Sequence, residues 1–157
     1  MKVEPIRDPE KIKEFKEQFD NPRDLFLVSL GLNTGLRISD LLRLKVKDVK
    51  NNMHIHLKEK KTNKTRKVSL NEHVRELIND YIESQELDDE DYLFQSRKGE
   101  NKPISRVQAY RIIKKAGEQA GIERVGTHTL RKTFGYHHYK KNKDVATLQL
   151  IFNHSDP

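Results

Sequence analysis

Apolar positions recur every three or four residues along most of this chain, and at every second residue in one short stretch. In DPEKIKEFKEQFDN, Asp8 can cap, Pro9 fits the first helical position, and Ile12, Phe15 and Phe19 share a face. NPRDLFLVSLGLNTG repeats the signal: Asn21 caps, Pro22 follows, and the apolar run predicts a helix buried on most sides that ends at Gly35. LRISDLLRLKVKDV predicts a short helix with Ser39 near its start, which carries Ile38, Leu41, Leu42 and Leu44 and runs out at 46–48. After an Asn51-Asn52 turn the period changes. Met53, Ile55 and Leu57 alternate with His54, His56 and Lys58, as in a half-buried strand, and the polar tip KEKKTNKT leads into a second strand, TRKVSL. Helical spacing returns in NEHVRELINDYIESQ behind Asn71, with Val74, Leu77, Ile78 and Tyr81 on one face. DYLFQS reads as a short extended piece and SRKGENKPIS as a loop; Ser105 then caps RVQAYRIIKKAGEQAG, which Gly121 ends. THTLRKTFGYHHYKK predicts a helix opening at Thr127 or Thr129, and DVATLQLIFNH another from Asp144. The tyrosines Tyr81, Tyr92, Tyr110, Tyr136 and Tyr139 mostly fall on core positions of these elements. The fold class is α+β: mainly helical, with a small antiparallel sheet in the middle, as one domain over 1–157.

Composition narrows the function. Of 157 residues, 31 are Lys or Arg and 24 are Asp or Glu, a formal charge of +7, which makes nucleic acid the first partner to consider. With no cysteine, disulfides, Cys-ligated zinc, iron–sulfur chemistry and a thiol nucleophile are excluded. No apolar run reaches the ~18 residues of a membrane span, and the start, MKVEPIRDPEKIKEF, has no apolar core of a secretion signal. A cytoplasmic protein that acts away from membranes is expected.

Three clusters carry candidate chemistry. Arg37 follows a helix-ending glycine and is flanked by apolar stretches, so it is either an ordinary surface arginine or a partly buried one, with Asp40 three residues on as the nearest acid. Lys58, Lys60, Lys61, Lys64, Arg66 and Lys67 crowd the hairpin; they form a solvated turn, or a basic finger laid along DNA phosphates from which one lysine donates a proton. HTLR sets His128 and Arg131 three apart at a helix start, as a capping region or as an anion site helped by the helix N-terminus. His154, in FNHSDP, taken alone is a surface residue. Seven histidines raise the question of zinc, but there is no HExxH, so no metal is expected; nor is ATP, for want of GxxxxGK[ST].

Taken in order, TGLRISDLL, then KKTNKTRKV after a strand, then HTLR, then NHSDP are similar to the boxes of the tyrosine recombinases, the phage integrase family. The resemblance runs from Gly35 to the last residue. It implies a catalytic domain that cuts and rejoins duplex DNA through a 3′-phosphotyrosine, with no cofactor, metal or ATP, working with other protomers as a tetramer on DNA. Arg37 and Arg131 match the family's two arginines, His128 the histidine of the HxxR box, Lys61 the hairpin lysine with Lys60 as its neighbouring rival, and His154 the last histidine. Asp40 matches the acid after the first arginine, in an orienting role. The other cations of the basic hairpin, Lys58, Lys60, Lys64, Arg66 and Lys67, are expected to bind DNA.

The chain departs from the family twice. The family's tyrosine lies roughly nine residues past the last histidine, where this sequence has only Ser155, Asp156 and Pro157, and no separate helical domain precedes residue 8. The expectation is a catalytic domain without its core-binding partner and without its nucleophile. A non-cleaving DNA-binding module and a metal-dependent nuclease are the alternative readings.

Overall fold

The computed structural model describes residues 3–59 and 61–142; Lys60, His154 and the helix expected from Asp144 lie outside them. The elements are α1 (Pro9–Lys16), α2 (Pro22–Thr34), α3 (Ile38–Leu42), α4 (Val46–Val49), β1 (His54–Lys58), β2 (Thr65–Ser69), α5 (Glu72–Gln85), β3 (Gln95–Arg97), β4 (Glu100–Pro103), α6 (Arg106–Gln119) and α7 (Thr129–Asn142). The helix starts form where short polar side chains satisfy orphan amides. Asp8 accepts from the Glu10 N–H, Asn21 from the Arg23 N–H and Asn71 from the Val74 N–H, each at 2.9 Å. Ser105 and Gln108 form a reciprocal capping box at α6.

The α+β expectation holds, with helix predominant. The small sheet is two separate antiparallel hairpins. In the first, His54 faces Ser69, His56 faces Lys67 and Lys58 faces Thr65, while Ile55 pairs with Val68 and Leu57 with Arg66 on the core side. Met53 lies ahead of the strand and is 58% exposed, so the alternation begins one residue later than expected. The second hairpin occupies part of the expected loop 96–105. Its strand ENKP has no apolar alternation to betray it; Pro103 sits in an edge strand, where a missing N–H is tolerated, and buried Ile104 donates to the Phe94 carbonyl at 2.9 Å.

The core gathers α2, α3, α5, α6 and the start of α7. From Phe26 to Gly31, α2 is buried throughout, as its apolar run predicts. Phe26 stacks on Tyr81 of α5 at 4.1 Å between ring centroids, with Phe94 at 5.6 Å. Of the five tyrosines only Tyr81 belongs to this core; Tyr110 and Tyr139 are exposed, and Tyr92 and Tyr136 half-buried. The segment 3–7 runs along α7. There the Ile6 N–H donates to Thr133 Oγ1 at 2.9 Å, the Ile6 carbonyl meets His137 Nε2 at 2.9 Å, and Lys132 Nζ donates to the Val3 carbonyl at 3.2 Å.

Tyr81 donates to the Leu93 carbonyl at 2.7 Å, and burial pushes its phenol well above the ordinary range. The folded state thus holds this proton at pH values where the unfolded chain releases it. The contribution is complete below pH ~10 and is lost as pH rises above it. Tyr81→Phe should cost about 1–3 kcal/mol at pH 7, because the Leu93 carbonyl loses its donor. Between pH 10 and 11.5 the gap to the parent should narrow, by up to ~1.4 kcal/mol per pH unit. Urea unfolding at both pH values measures this, and a gap that stays constant would count against a buried phenol.

Candidate active site

The decisive geometry lies where α2 meets α7. Gly35 ends α2 in the left-handed conformation, φ +71°, and its carbonyl accepts from Arg131 Nη1 at 3.0 Å. A Cβ at Gly35 would overlap the Phe134 ring, and one at Gly31 would fall 2.7 Å from Leu130 Cδ1. Two glycines one helical turn apart thus let Leu130, Arg131 and Phe134 of α7 seat directly on the α2 backbone. Arg131 is 4% exposed, so its guanidinium is held within the fold rather than hung on its surface.

Arg37 lies two residues beyond the accepting carbonyl and forms the N-cap of α3, in extended conformation. Its own carbonyl accepts from the Asp40 and Leu41 N–H groups, both at 3.0 Å. The chain therefore brings the TGLR and HTLR boxes together, 96 residues apart in sequence, through one hydrogen bond. Arg37 is half-buried, with Nη2 inaccessible to water. The Asp40 carboxylate is paired with Arg43. The acid expected to orient the site thus has a local cation of its own, three residues along.

His128 is the exposed residue just ahead of α7, and its carbonyl accepts from the Lys132 N–H at 3.0 Å. The three residues that follow, Thr129, Leu130 and Arg131, are 0, 1 and 4% exposed. The Thr129 N–H is spent on the Gly126 carbonyl, so the opening turn of α7 is not an open seat for an anion. His128 alone stands clear of it.

Lys61 is exposed in the tip of the first hairpin, which closes through Glu59 N–H to Lys64 O at 2.8 Å and places Asn63 in the left-handed region. Lys58, Lys64 and Lys67 are exposed as well, with Lys58 and Lys67 on the outer face beside His56. Arg66 differs: it pairs across from Leu57 on the core side and its Nε is buried. Among the described residues none of Lys58, Lys61, Lys64 and Lys67 is paired with an acid. Lys45, Lys47 and Lys50, by contrast, are drawn to Glu90 and Asp89 on the 88–91 turn. The hydrogen bond between Lys47 and Glu90 raises the ammonium and lowers the carboxyl. Neither of two surface concavities, of about 200 and 370 Å³, is lined by Arg37, Lys61, His128 or Arg131. Among the described residues the Arg131 guanidinium is thus brought to the backbone two residues ahead of Arg37, while Lys61 and His128 are exposed and line neither concavity.

The sequence matches the Phage integrase family over residues 8–157. The chain belongs to this family. It is 50% identical to "Probable integrase/recombinase YoeC" of Bacillus subtilis (strain 168), covering 99% of this chain and 85% of that protein. It is 33% identical to a "Tyrosine recombinase" of Pseudothermotoga lettingae over 94% of this chain but 50% of that one. The crystal structure of the XerH site-specific recombinase bound to its difH substrate, a pre-cleavage complex, superposes with a TM-score of 0.77 at 25% identity, covering 99% of this chain and 49% of that one. The chain therefore spans most of the Bacillus relative and about half of the other two. Its fold is that of the tyrosine recombinase catalytic domain. Among the described residues no helix is long and apolar enough to cross a membrane, and no three His, Asp or Glu side chains are grouped to hold a metal ion.

Sequence reasoning missed the backbone part of the site. Gly31 and the Gly35 carbonyl hold α7 in place, and the available signal was a pair of glycines spaced four apart at the end of an otherwise apolar helix. A paired substitution tests this seat. Gly99, φ +84°, has nothing near its missing Cβ, so Gly99→Ala should cost only the left-handed penalty of about 1–2 kcal/mol. Gly35→Ala should exceed it by about 1–3 kcal/mol from overpacking against Phe134. Equal losses in urea unfolding would mean that Phe134 is not seated on Gly35.

Proposed function

We propose that this chain is the catalytic domain of a site-specific DNA recombinase that cuts and rejoins duplex DNA without metal or ATP, acting in the cytoplasm with further protomers as a tetramer on paired sites. One observation carries the reading: the hydrogen bond from Arg131 to the Gly35 carbonyl, which gathers both arginine boxes of the family at one place. In the proposed step a tyrosine hydroxyl attacks a backbone phosphate. The O–P bond forms, the bond to the 5′-oxygen breaks, and the leaving oxygen takes up a proton. Arg37 and Arg131 bind the two non-bridging oxygens, where charge gathers in the transition state, and both stay protonated throughout. Lys61 protonates the 5′-oxygen. His128 takes and returns the tyrosine proton, His154 hydrogen-bonds the phosphate, and Asp40 orients the arginine loop. Lys58, Lys60, Lys64 and Lys67 follow the DNA backbone; Arg66, turned toward Leu57, supports the hairpin from beneath.

The attacking tyrosine is assigned to none of the five in this chain. Tyr81 spends its hydroxyl on the Leu93 carbonyl, and Tyr92 lies beside Lys45, far along the chain from both boxes. Tyr136 is flanked by Arg7 and Lys140, and Tyr110 by Lys114. Tyr139 is eight residues past Arg131 on the same helix, about 12 Å further along its axis. A chain of 1–157 alone is thus proposed to bind DNA without becoming linked to it.

Two measurements test the reading. Duplex affinity of the 157-residue chain should fall with salt at a log–log slope of −4 to −5, corresponding to about 5 neutralised phosphates. A slope near zero in anisotropy titrations would remove the phosphate-binding face. On a labelled nicked duplex in a denaturing gel, the 157-residue chain should give no covalent adduct, whereas the chain carrying the family's tyrosine should give one in the presence of chelator. Arg37→Lys in that longer chain should slow the adduct about 10²–10³-fold while DNA affinity stays within a few-fold. An adduct from the short chain would indict Tyr136 or Tyr139. No adduct from the long chain would favour the non-cleaving module, and a magnesium requirement would favour the nuclease.

A further inference from the structure

We infer that Gly31 is a positioning residue for the two guanidiniums: its missing side chain sets the spacing between the helix that carries Arg131 and the helix that Arg37 opens. The inference rests on the phosphate-clamp reading above and adds the element that fixes the clamp's span. Gly31 lies inside α2, where glycine weakens a helix and alanine strengthens it, so its presence calls for a reason. The reason is steric, and it involves both partners of the clamp. A Cβ at Gly31 would lie 2.7 Å from Leu130 Cδ1, 3.3 Å from Leu130 Cβ and 3.4 Å from Leu41 Cδ1.

These two leucines are tied to the arginines. Leu130 immediately precedes Arg131, and the Leu41 N–H donates to the Arg37 carbonyl at 3.0 Å. They are 1% and 0% exposed, so neither side chain has open space into which to retreat. The overlap with Leu130 Cδ1 is the severe one, and burial leaves that methyl no open space to turn into, whereas the Cβ at 3.3 Å need give only a few tenths of an ångström. A methyl group at position 31 therefore wedges α7 off α2 at the turn where Arg131 reaches the Gly35 carbonyl. It also packs at ordinary contact distance, 3.4 Å, against Leu41 of α3, so α3 bounds the methyl on its other side. A phosphate offers its oxygens at a fixed spacing, and displacements well under 1 Å are enough to cost a two-point clamp much of its grip.

Inorganic tungstate, a tetrahedral dianion of phosphate-like shape, probes the clamp without any nucleophile. Amide chemical shifts of the 157-residue chain are followed as tungstate is added at low salt, for the parent, Arg37→Lys, Gly31→Ala and the double variant Gly31→Ala/Leu130→Val. The parent should bind and Arg37→Lys should bind at least tenfold more weakly. Gly31→Ala should lose tenfold or more although neither arginine is touched, and trimming Leu130 should return the double variant to within about threefold of the parent. Gly31→Ala binding like the parent overturns the inference. So does a double variant that is folded yet no tighter than Gly31→Ala. Should Gly31→Ala not fold, the double variant decides alone, parent-like binding supporting the inference and weak binding overturning it. A parent that binds no tungstate, or binds it no more tightly than Arg37→Lys, instead removes the clamp reading and the inference with it.

Discussion

A charged guanidinium held at 4% exposure is the constraint around which this domain is organised. Arg131 cannot shed its proton, and leaving it buried without partners would cost several kcal/mol. Its Nη1 is satisfied by the Gly35 carbonyl, an acceptor that exists because α2 stops there in a left-handed turn and leaves its last carbonyls without helical donors. A hydrogen bond of this charged kind contributes about 1.5–3 kcal/mol, and it needs the two backbones close together. Closeness in turn needs Gly31 and Gly35, because Leu130 and Phe134 occupy the places where their side chains would stand. Helix end, glycine spacing and arginine burial are thus one interdependent arrangement.

Function follows from the same arrangement. A transition state that gathers negative charge on phosphate oxygens is best met by cations already fixed in place, so that nothing is reorganised when the charge appears. Arg131 is fixed from within the core and Arg37 from the start of α3. The hairpin is of opposite character. Its core side is anchored by Ile55 and Leu57, and its tip carries exposed lysines that meet no acid among the described residues, while Lys45, Lys47 and Lys50 are occupied by the acids of the 88–91 turn. A rigid pair of arginines and an exposed basic finger are suited to different tasks in the proposed reaction: the first to stabilise charge at the reacting phosphate, the second to meet the DNA backbone.

The periodic elements were legible because one physical signal decides each of them. Asp8, Asn21, Asn71 and Ser105 cap the helices that they predict, and the turn at Gly35 falls where the apolar run of α2 stops. Family membership was legible because four boxes kept their order, although each is weak alone. The second hairpin was not legible: ENKP pairs through backbone groups and has no apolar face. Arg66 reads in sequence as one more hairpin cation, and only the register, which sets it across from Leu57, separates it from Lys67. The contact between Arg131 and Gly35 was also out of reach, since a backbone carbonyl leaves no mark in a sequence.

The central claim is that Arg37 and Arg131 act as one clamp on a single phosphate, with Arg131 braced from behind by α2. A crystal structure of the domain on a nicked duplex tests it most directly. Both guanidiniums should lie about 2.7–2.9 Å from the non-bridging oxygens of the same phosphate, with Arg131 Nη1 still on the Gly35 carbonyl. A phosphate held by the hairpin lysines alone, or an Arg131 that remains turned away from the DNA, would contradict it.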